Sequence, residues 1–361
     1  MTVKTVFTPL GSLVLNEHDN HLVDLSWNYE HHLNSSPVLD QAAEEIQAYL
    51  NKDLRDFTVS TKFNRGTEFQ RKVWQAIAEI PYGETVTYND IAREIKSSPR
   101  AVGTACGKNP LPLIIPCHRV VGASGKLTGY SGGDGTLTKQ ILLDFEQTPK
   151  NEVTNLALWQ GLRAQIPQKP FYFMRHGQTD YNLNRILQGG LINSDLNATG
   201  RQQAQNAGKA LAKVFNPNVV WRSNMKRTEQ TAEGVLSQLP NKERILAVHD
   251  GLNEKSFGDW DGKSEQELPP FQHLYQCSPE GESWLKVVNR MAGALTDILN
   301  STDEVPLIVA HGAVARTVGD LLGCWPALGD RFLNCEIWYV EPPKSGTVDQ
   351  PWSGTQIHAG E

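Results

Sequence analysis

Two groups of residues in this chain have the types and spacing that chemistry needs. The first is Ile115-Pro116-Cys117-His118-Arg119-Val120, where a thiol lies between an apolar run and the pair His118-Arg119. A free thiol has a pKa of about 8.5, and a nearby His or Arg lowers it and makes the nucleophilic thiolate more available. Cys117 is therefore a candidate nucleophile, although a small buried structural cysteine fits the dipeptide as well. The second group begins with Arg175-His176-Gly177-Gln178-Thr179 and Asn182. It continues with Ser223-Asn224-Met225-Lys226-Arg227, with Glu254 inside Leu252–Gly262, with Gly281-Glu282-Ser283 and with Ala310-His311-Gly312. A histidine after a buried strand is often a hydrogen-bonded structural residue, so the tripeptide at His176 alone decides nothing.

The elements around these residues decide what they can reach. Phe-Tyr-Phe-Met before Arg175 and Val-Pro-Leu-Ile-Val-Ala before His311 read as buried strands ending in polar turns. Helices are expected over 199–214, from Met225 to about Leu239, and over Ala313–Leu322, with Val-Val-Trp-Arg-Ser-Asn (219–224) as a further strand running into a loop. Alternating strands and helices indicate an α/β layer fold with a mainly parallel sheet. Both histidine turns then lie at the C-terminal ends of strands, where such folds place ligands.

Upstream, short β-rich runs broken by turns at Pro-Leu-Gly and His-Asp-Asn predict a small antiparallel sheet. Helices follow at 37–50 and from Thr67, an N-cap, to Ile80, with Phe69, Val73, Trp74, Ile77 and Ile80 as one stripe. Helix Tyr88–Lys96, a turn at Ser97-Ser98-Pro99, and a small-sided helix over 99–108 form a helix-turn-helix. Residues 147–170 carry Pro149, Pro167 and Pro170 and read as a linker, with one short helix around Leu156–Arg163. The fold class is thus α/β and α+β in two modules. Its parts are a sheet subdomain (1–66), a helical domain (67–150), a linker (151–170) and a three-layer α/β domain (171–361).

The 361 residues suit two or three domains. No apolar run approaches the ~20 residues of a membrane span, and the start lacks a secretory signal, so the cytoplasm and no membrane partner are expected. Five cysteines, Cys106, Cys117, Cys277, Cys324 and Cys335, form neither a disulfide framework nor a Cys-x-x-Cys pair. No metal or cofactor is expected, and the chain is expected to be a monomer. Net charge is −6, yet residues 93–139 carry seven cations (Arg93, Lys96, Arg100, Lys108, Arg119, Lys126, Lys139) against Glu94 and Asp134. A local excess of that kind suits a phosphate-contacting face, and a solvated basic surface suits it equally.

Residues 67–146 resemble the O6-alkylguanine-DNA alkyltransferases. The matching pieces are FQRKVWQAIAEIPYGETVTY, SSPRAVGTACGKNPLPLIIPCHRVV and SGKLTGYSGG followed by TKQILLDFE; residues 1–66 fit the family's N-terminal sheet domain more loosely. The resemblance implies repair of duplex DNA by irreversible transfer of an alkyl group from O6-alkylguanine, with O4-alkylthymine as a second substrate. It makes Cys117 the acceptor, and His118 its base through a water, oriented by Glu146. Asn109 would hold the loop, and Tyr88 would donate to the leaving base. Tyr130, Ser131 and Gly132 would form the pocket wall, and Arg100 would fill the gap left by the flipped nucleotide. With no cysteine before Cys106, the zinc site of some family members is absent. Cys117 itself separates the chain from alkyltransferase-like proteins that bind damage without transfer.

Residues 171–340 resemble the histidine phosphatase superfamily, the phosphoglycerate-mutase-like proteins. That resemblance implies phosphoryl transfer to His176, with Arg175, Arg227 and His311 binding the phosphoryl oxygens and Asn182 assisting. Glu254 would be the general acid that later activates water. The short stretch from Glu254 to Gly281 favours a hydrolase of a small phosphorylated metabolite over a mutase. Arg222 departs from the small residue usual there, either adding a cation to the pocket or facing solvent. The competing class is a damage-binding module joined to a phosphate-binding domain without catalysis.

Overall fold

The computed structural model describes residues 2–28, 30, 32–148, 154–240, 244–268, 278–325, 332–346 and 350–360. They form two compact units, Met1–Gly161 and Leu162–Glu361. Among the described residues no helix is long and apolar enough to cross a membrane.

The first unit opens with an antiparallel meander of β1 (Thr2–Thr8), β2 (Gly11–His18) and β3 (His21–Trp27), in that order. His18 pairs with His21, so Asp19 and Asn20 alone make the second turn, at φ 53° and 58°. Those are hairpin-turn values that Asp and Asn tolerate better than most residues. Helix α1 (Pro37–Leu50) is capped by Ser36 and buries Leu39, Ala42, Ile46 and Tyr49. Helix α2 (Glu68–Ala78) starts at the expected Thr67, where Thr67 and Gln70 form a reciprocal capping box. Val73, Trp74 and Ile77 of its stripe are buried.

Next come β4 (Val86–Thr87), α3 (Tyr88–Glu94) and α4 (Pro99–Cys106), the last capped by Ser98 with Pro99 in its first turn. These two helices are the expected helix-turn-helix, each slightly shorter than its sequence pattern. Strand β5 (Val120–Val121) pairs in parallel with β4, Val86 beside Val120 and Thr87 beside Val121. This pairing carries the start of α3 to the turn that holds Cys117. Helix α5 (Thr136–Gln147) buries both Lys139 and Glu146. Seven residues are two helical turns, so both side chains leave the same face. Helices α6 (Thr154–Ala157) and α7 (Gln160–Arg163) follow, with Leu156, Leu158 and Trp159 buried. Of the linker expected at 151–170, residues 151–153 lie outside the described residues, as does Cys277.

The second unit is built on a six-stranded sheet. Its elements are β6 (Phe171–Arg175), α8 (Asp180–Leu183), α9 (Ala198–Leu211), β7 (Val219–Arg222), α10 (Lys226–Leu236) and β8 (Ile245–Val248). Then come α11 (Trp284–Ser301), β9 (Leu307–Ala310), α12 (Gly312–Leu322), β10 (Ile337–Glu341) and β11 (Ser353–His358). The strand order is β11-β10-β6-β9-β7-β8. Strands β6, β9, β7 and β8 are mutually parallel, and β10 and β11 add an antiparallel edge that the sequence pattern did not reveal. Arg175 pairs with Ala310, the last residues of β6 and β9. The chain therefore leaves adjacent strands at the same level, and His176 and His311 emerge side by side.

Candidate active sites

Cys117 opens a one-turn 3-10 helix, Cys117–Arg119, directly before β5. Its N–H donates to Ile115 O at 2.7 Å. The residue is 4% exposed and forms part of the lining of a cleft of about 840 Å3. Tyr88 from α3, Arg100, Gly103 and Cys106 from α4, and Gly122, Tyr130 and Ser131 line the same cleft.

The two residues that follow the thiol in its turn belong to a buried polar network. His118 Nε2 lies 2.9 Å from Glu146 Oε1. Arg119 clamps the same carboxylate, from Nε to Oε2 at 2.9 Å and from Nη2 to Oε1 at 2.8 Å, while its Nη1 donates to Ile80 O. Tyr49 Oη donates to Oε1 at 2.7 Å and Gly83 N–H to Oε2 at 3.1 Å. Burial alone would raise the Glu146 pKa, but the hydrogen bond from His118 and the hydrogen bonds and charge of Arg119 outweigh it and hold the group well below the usual carboxylate range. An ionised carboxylate only accepts hydrogen bonds, so Nε2 of His118 must carry the proton. Burial lowers the His118 pKa and keeps the ring neutral, with the Glu146 hydrogen bond acting against it. Nδ1 of His118 is then an acceptor, buried and without a protein partner among the described residues.

Asn109 ties the intervening loop together, its Nδ2 donating to Ile115 O at 2.8 Å and its Oδ1 accepting from Leu111 N–H at 3.0 Å. Tyr88 stands in the first turn of α3, its ring 5.7 Å from Lys139 Nζ.

Three expectations change here. Burial pushes the Cys117 thiol up, and the opposing pulls come from a hydrogen bond with Asn109 and from Lys139, not from its neighbours in sequence. Arg119 is committed to Glu146, and His118 is neutral. The basic face is also smaller than the sequence count: Arg119 and Lys139 are buried, leaving Arg93, Lys96, Arg100, Lys108 and Lys126 exposed against exposed Glu94 and half-buried Asp134. Gly132 does not line the cleft. A Cβ there would stand 2.6 Å from Trp27 Cζ3 and 2.8 Å from Tyr130 Cε1, so glycine is what lets Trp27 and Tyr130 pack, with ring centroids 6.3 Å apart.

Lys139, like Arg119, turns inward. Its Nζ donates to Val120 O and Thr128 O, and the charge faces Cys117 and Cys106. The two-turn spacing from Glu146 was the available signal.

In the second unit, His176 is buried and its Nδ1 lies 2.7 Å from Gly177 O. A carbonyl can only accept, so Nδ1 holds the proton and Nε2 carries the lone pair. Burial lowers the His176 pKa well below its ordinary value, and the charges of Arg227 and Arg175 lower it further. The ring centroids of His176 and His311 are 5.2 Å apart.

Arg227 is fully buried. Its Nε donates to His311 Nδ1 at 3.1 Å and its Nη1 to Ile192 O at 2.7 Å, while Nη2 has no partner among the described residues. Burial brings its pKa down to about 10 against the pull of Glu254. Arg175 donates to Phe332 O, and its guanidinium lies where a Cβ on Gly312 would be 3.5 Å away. Glu254 accepts from Lys255 N–H at 2.9 Å and from Ala313 N–H at 3.3 Å. That places it at the positive end of α12.

Other members of the set have structural work. His311 Nε2 lies 2.8 Å from Ser223 Oγ, so both ring nitrogens are engaged and the ring orients Arg227. Asn182 Oδ1 accepts from Thr179 N–H, completing a capping box at α8, and from Asn334 Nδ2, which also holds His176 O at 3.0 Å. Glu282 forms a two-point ion pair with Arg290, and Ser283 caps α11. Arg222 pairs with Glu229 of α10 at 2.5 Å and so is no free cation. Among the described residues no three His, Cys, Asp or Glu side chains are grouped to hold a metal ion.

Comparison with known proteins gives two separate matches. Residues 68–148 match the family model for the 6-O-methylguanine DNA methyltransferase DNA-binding domain, and residues 171–348 that for the histidine phosphatase superfamily (branch 1). A methylated-DNA–protein-cysteine methyltransferase of Mycobacterium bovis is 42% identical over 154 residues, which span 40% of this chain and 92% of the relative. The structure of Mycobacterium tuberculosis OGT in complex with DNA is 40% identical, covering 44% of this chain and 99% of that one with a TM-score of 0.39. A mycobacterial glucosyl-3-phosphoglycerate phosphatase is 24% identical, covering 52% of this chain and 97% of that one with a TM-score of 0.45.

Proposed function

Because this chain belongs to the methylated-DNA–protein-cysteine methyltransferases through its first unit and carries a histidine phosphatase superfamily domain in its second, we propose that it is a fusion of two activities. The first unit moves an alkyl group from O6-alkylguanine in duplex DNA to Cys117. The second hydrolyses a small phosphomonoester through a phosphohistidine at His176.

The observation that carries the first activity is the ionised Glu146 holding His118 Nε2–H, which leaves Nδ1 as an unpartnered proton acceptor on the residue that follows Cys117. A base inside a duplex is out of reach, and extruding it costs a few kcal/mol. Arg100, exposed in the first turn of α4, would fill the gap, and the cleft would take the base. The Cys117 proton passes to His118, through a water, as Sγ attacks the alkyl carbon. The carbon–O6 bond breaks, and its electron pair stays with guanine, which Tyr88 hydrogen-bonds and which takes up the proton that the thiol gave up, by way of His118 and water. Because the resting thiol is pushed up, the thiolate exists only as it reacts, and Lys139 stabilises the developing charge. The product is a thioether that water does not cleave, so each molecule acts once.

For the second activity the carrying observation is His176 Nδ1–H pinned to Gly177 O, with an open Nη2 on Arg227, whose charge acts on the ring. Nε2 attacks phosphorus, and Arg227 and Arg175 take up charge on the equatorial oxygens. Glu254 protonates the leaving oxygen and then removes a proton from the water that cleaves the phosphorus–nitrogen bond, restoring His176.

Two variants of the full chain test both readings. Cys117→Ala should abolish methyl transfer and leave phosphatase activity and DNA affinity intact; His176→Ala should do the reverse and abolish an acid-labile phosphoenzyme. Methyl transfer by the first variant, or an acid-stable phosphoester in the wild type, would overturn the corresponding assignment.

A further inference from the structure

Thr128 is an exposed threonine in the wall of the cleft that also holds Tyr88, Cys106 and Cys117. Its backbone oxygen accepts from Lys139 Nζ at 3.2 Å, beside the bond from the same Nζ to Val120 O. Its hydroxyl is hydrogen-bonded to the hydroxyl of Tyr88. Lys139 Nζ in turn lies 5.7 Å from the centre of the Tyr88 ring, so Thr128, Tyr88 and Lys139 form one cluster. An exposed threonine in a loop ordinarily touches only water, whereas this one bonds with both its backbone and its side chain.

The chain around Thr128 is built to hold it there. Thr87 pairs with Val121, so Tyr88 and Gly122 leave adjacent strands at the same level. A tight turn follows, in which Gly122 N–H donates to Lys126 O at 2.8 Å and Gly125 N–H to Gly122 O at 3.2 Å. A Cβ on Gly122 would stand 2.9 Å from Lys126 O and 3.3 Å from Thr128 Cγ2, so a side chain at 122 would push the turn open and displace Thr128. On its other side the Tyr88 ring lies against α4, where a Cβ on Gly103 would stand 3.7 Å from Cε1. The ring is thus placed by α4 and the hydroxyl by Thr128.

Burial raises the Tyr88 pKa, and the Thr128 hydrogen bond acts against it. A partner that favours the ionised form of a phenol is a donor, so the Thr128 hydroxyl donates and Tyr88 Oη accepts. The Tyr88 proton is then not spent on Thr128 and can turn into the cleft. We infer that Thr128 is a positioning residue for alkyl transfer: its hydroxyl fixes Tyr88 Oη so that the Tyr88 O–H points at the bound base, while its carbonyl holds Lys139 toward the thiol. The inference rests on the alkyl-transfer reading of the first unit. During transfer negative charge leaves the sulfur and grows on the leaving base. Thr128 holds one group at each end of that movement, Lys139 where the charge starts and Tyr88 where it arrives. A hydroxyl that accepts one hydrogen bond donates its own more strongly. The bond from Tyr88 to the base strengthens as charge develops there, so Thr128 acts on the rate of transfer and not on DNA binding.

Single-turnover transfer from O6-methylguanine duplex to the full chain tests it. Thr128→Val keeps the branched side chain and the carbonyl that holds Lys139, and removes only the hydroxyl. At saturating duplex its transfer rate should fall about tenfold, the order that one hydrogen bond supplies, with the half-saturating duplex concentration unchanged within about twofold. Thr128→Ser keeps the hydroxyl and should stay within about threefold of the wild type. Because Thr128 acts through Tyr88, adding Thr128→Val to Tyr88→Phe should slow transfer by no more than about twofold beyond Tyr88→Phe alone. A Val variant as fast as the wild type, a Ser variant as slow as the Val variant, or losses that multiply in the double variant would each overturn the inference and leave the alkyl-transfer reading standing. A wild-type chain that moves no methyl group to Cys117 would overturn both. Should Thr128→Val melt well below the wild type, Thr128→Ala in the same pairing with Tyr88→Phe decides by the same criteria.

Discussion

Replacing Glu146 by Gln separates the structural and chemical work of the buried network. The carboxylate accepts from five donor atoms: His118 Nε2, Arg119 Nε and Nη2, Tyr49 Oη and Gly83 N. A carboxamide keeps the shape but offers one oxygen, and its NH2 must then face at least two of those donors. Arg119, 5% exposed, also loses its counter-charge. Removing one partner of a buried pair costs ~3–5 kcal/mol. At about 2–4 °C per kcal/mol for a domain of this size, the first unit should melt about 6–20 °C lower. The pH profile gives an independent sign. Because the Glu146 pKa is depressed, its stabilisation is fully present above its unfolded pKa of about 4.5 and is lost as pH falls through the folded value. The Gln variant should lack that contribution. Chemically, Gln can donate to His118 as well as accept, so the Nδ1 acceptor is no longer guaranteed and transfer should slow by about 10²–10⁴. Single-turnover transfer from methylated duplex, read beside thermal and urea unfolding, measures both. Adding Arg119→Met should recover much of the stability and none of the rate. A Gln variant within about 1 kcal/mol of wild type that transfers within about threefold of it would refute the reasoning.

Further outcomes are expected. Arg100→Ala should weaken repair in duplex DNA more than in single strands or free base, because only a duplex has a stack to refill; equal losses on all three would remove that role. In the second unit, His176 and His311 are held neutral by burial and by arginine charge. The unfolded chain takes up those protons as pH falls through about 6.5 and the folded unit does not, so stability should fall there by up to ~1.4 kcal/mol per pH unit for each histidine. Urea titrations at neutral and mildly acid pH that coincide would contradict this. Neither candidate site uses a residue of the other unit, so transfer and phosphatase rates of separately expressed 1–161 and 162–361 should stay within about threefold of the intact chain, with or without alkylated DNA. A DNA-dependent phosphatase rate seen only in the intact chain would show coupling.

Local signals were legible and tertiary ones were not. Thr67, and Ser98 with Pro99, mark their helix starts because a cap is decided within four residues. The strands before His176 and His311 are readable because central strands of a parallel sheet are continuously apolar. Strand β11 escapes that pattern because, at the sheet edge, it mixes exposed and half-buried positions, and β10, though paired on both sides, because three of its five residues are half-buried. Helix α11 has a clear apolar face but carries none of the chemistry-bearing residues. Arg119 and Lys139 looked like surface charge because a count of charges cannot tell a solvated cation from one buried against a carboxylate or a pair of carbonyls. The capping box Thr179-x-x-Asn182 was a readable signal for what Asn182 does locally. Nothing in the sequence disclosed that His311 has both nitrogens engaged.

One chain is proposed to carry two separate covalent chemistries, at Cys117 and at His176. Peptide mapping by mass spectrometry tests it most directly, on full-length protein exposed to O6-methylguanine duplex and to a phosphomonoester and kept at neutral to basic pH. A methyl group is expected on the Cys117 peptide and a base-stable, acid-labile phosphoryl group on the His176 peptide. Methyl on any other cysteine, Cys106 included, or phosphate on any residue but His176, would contradict it.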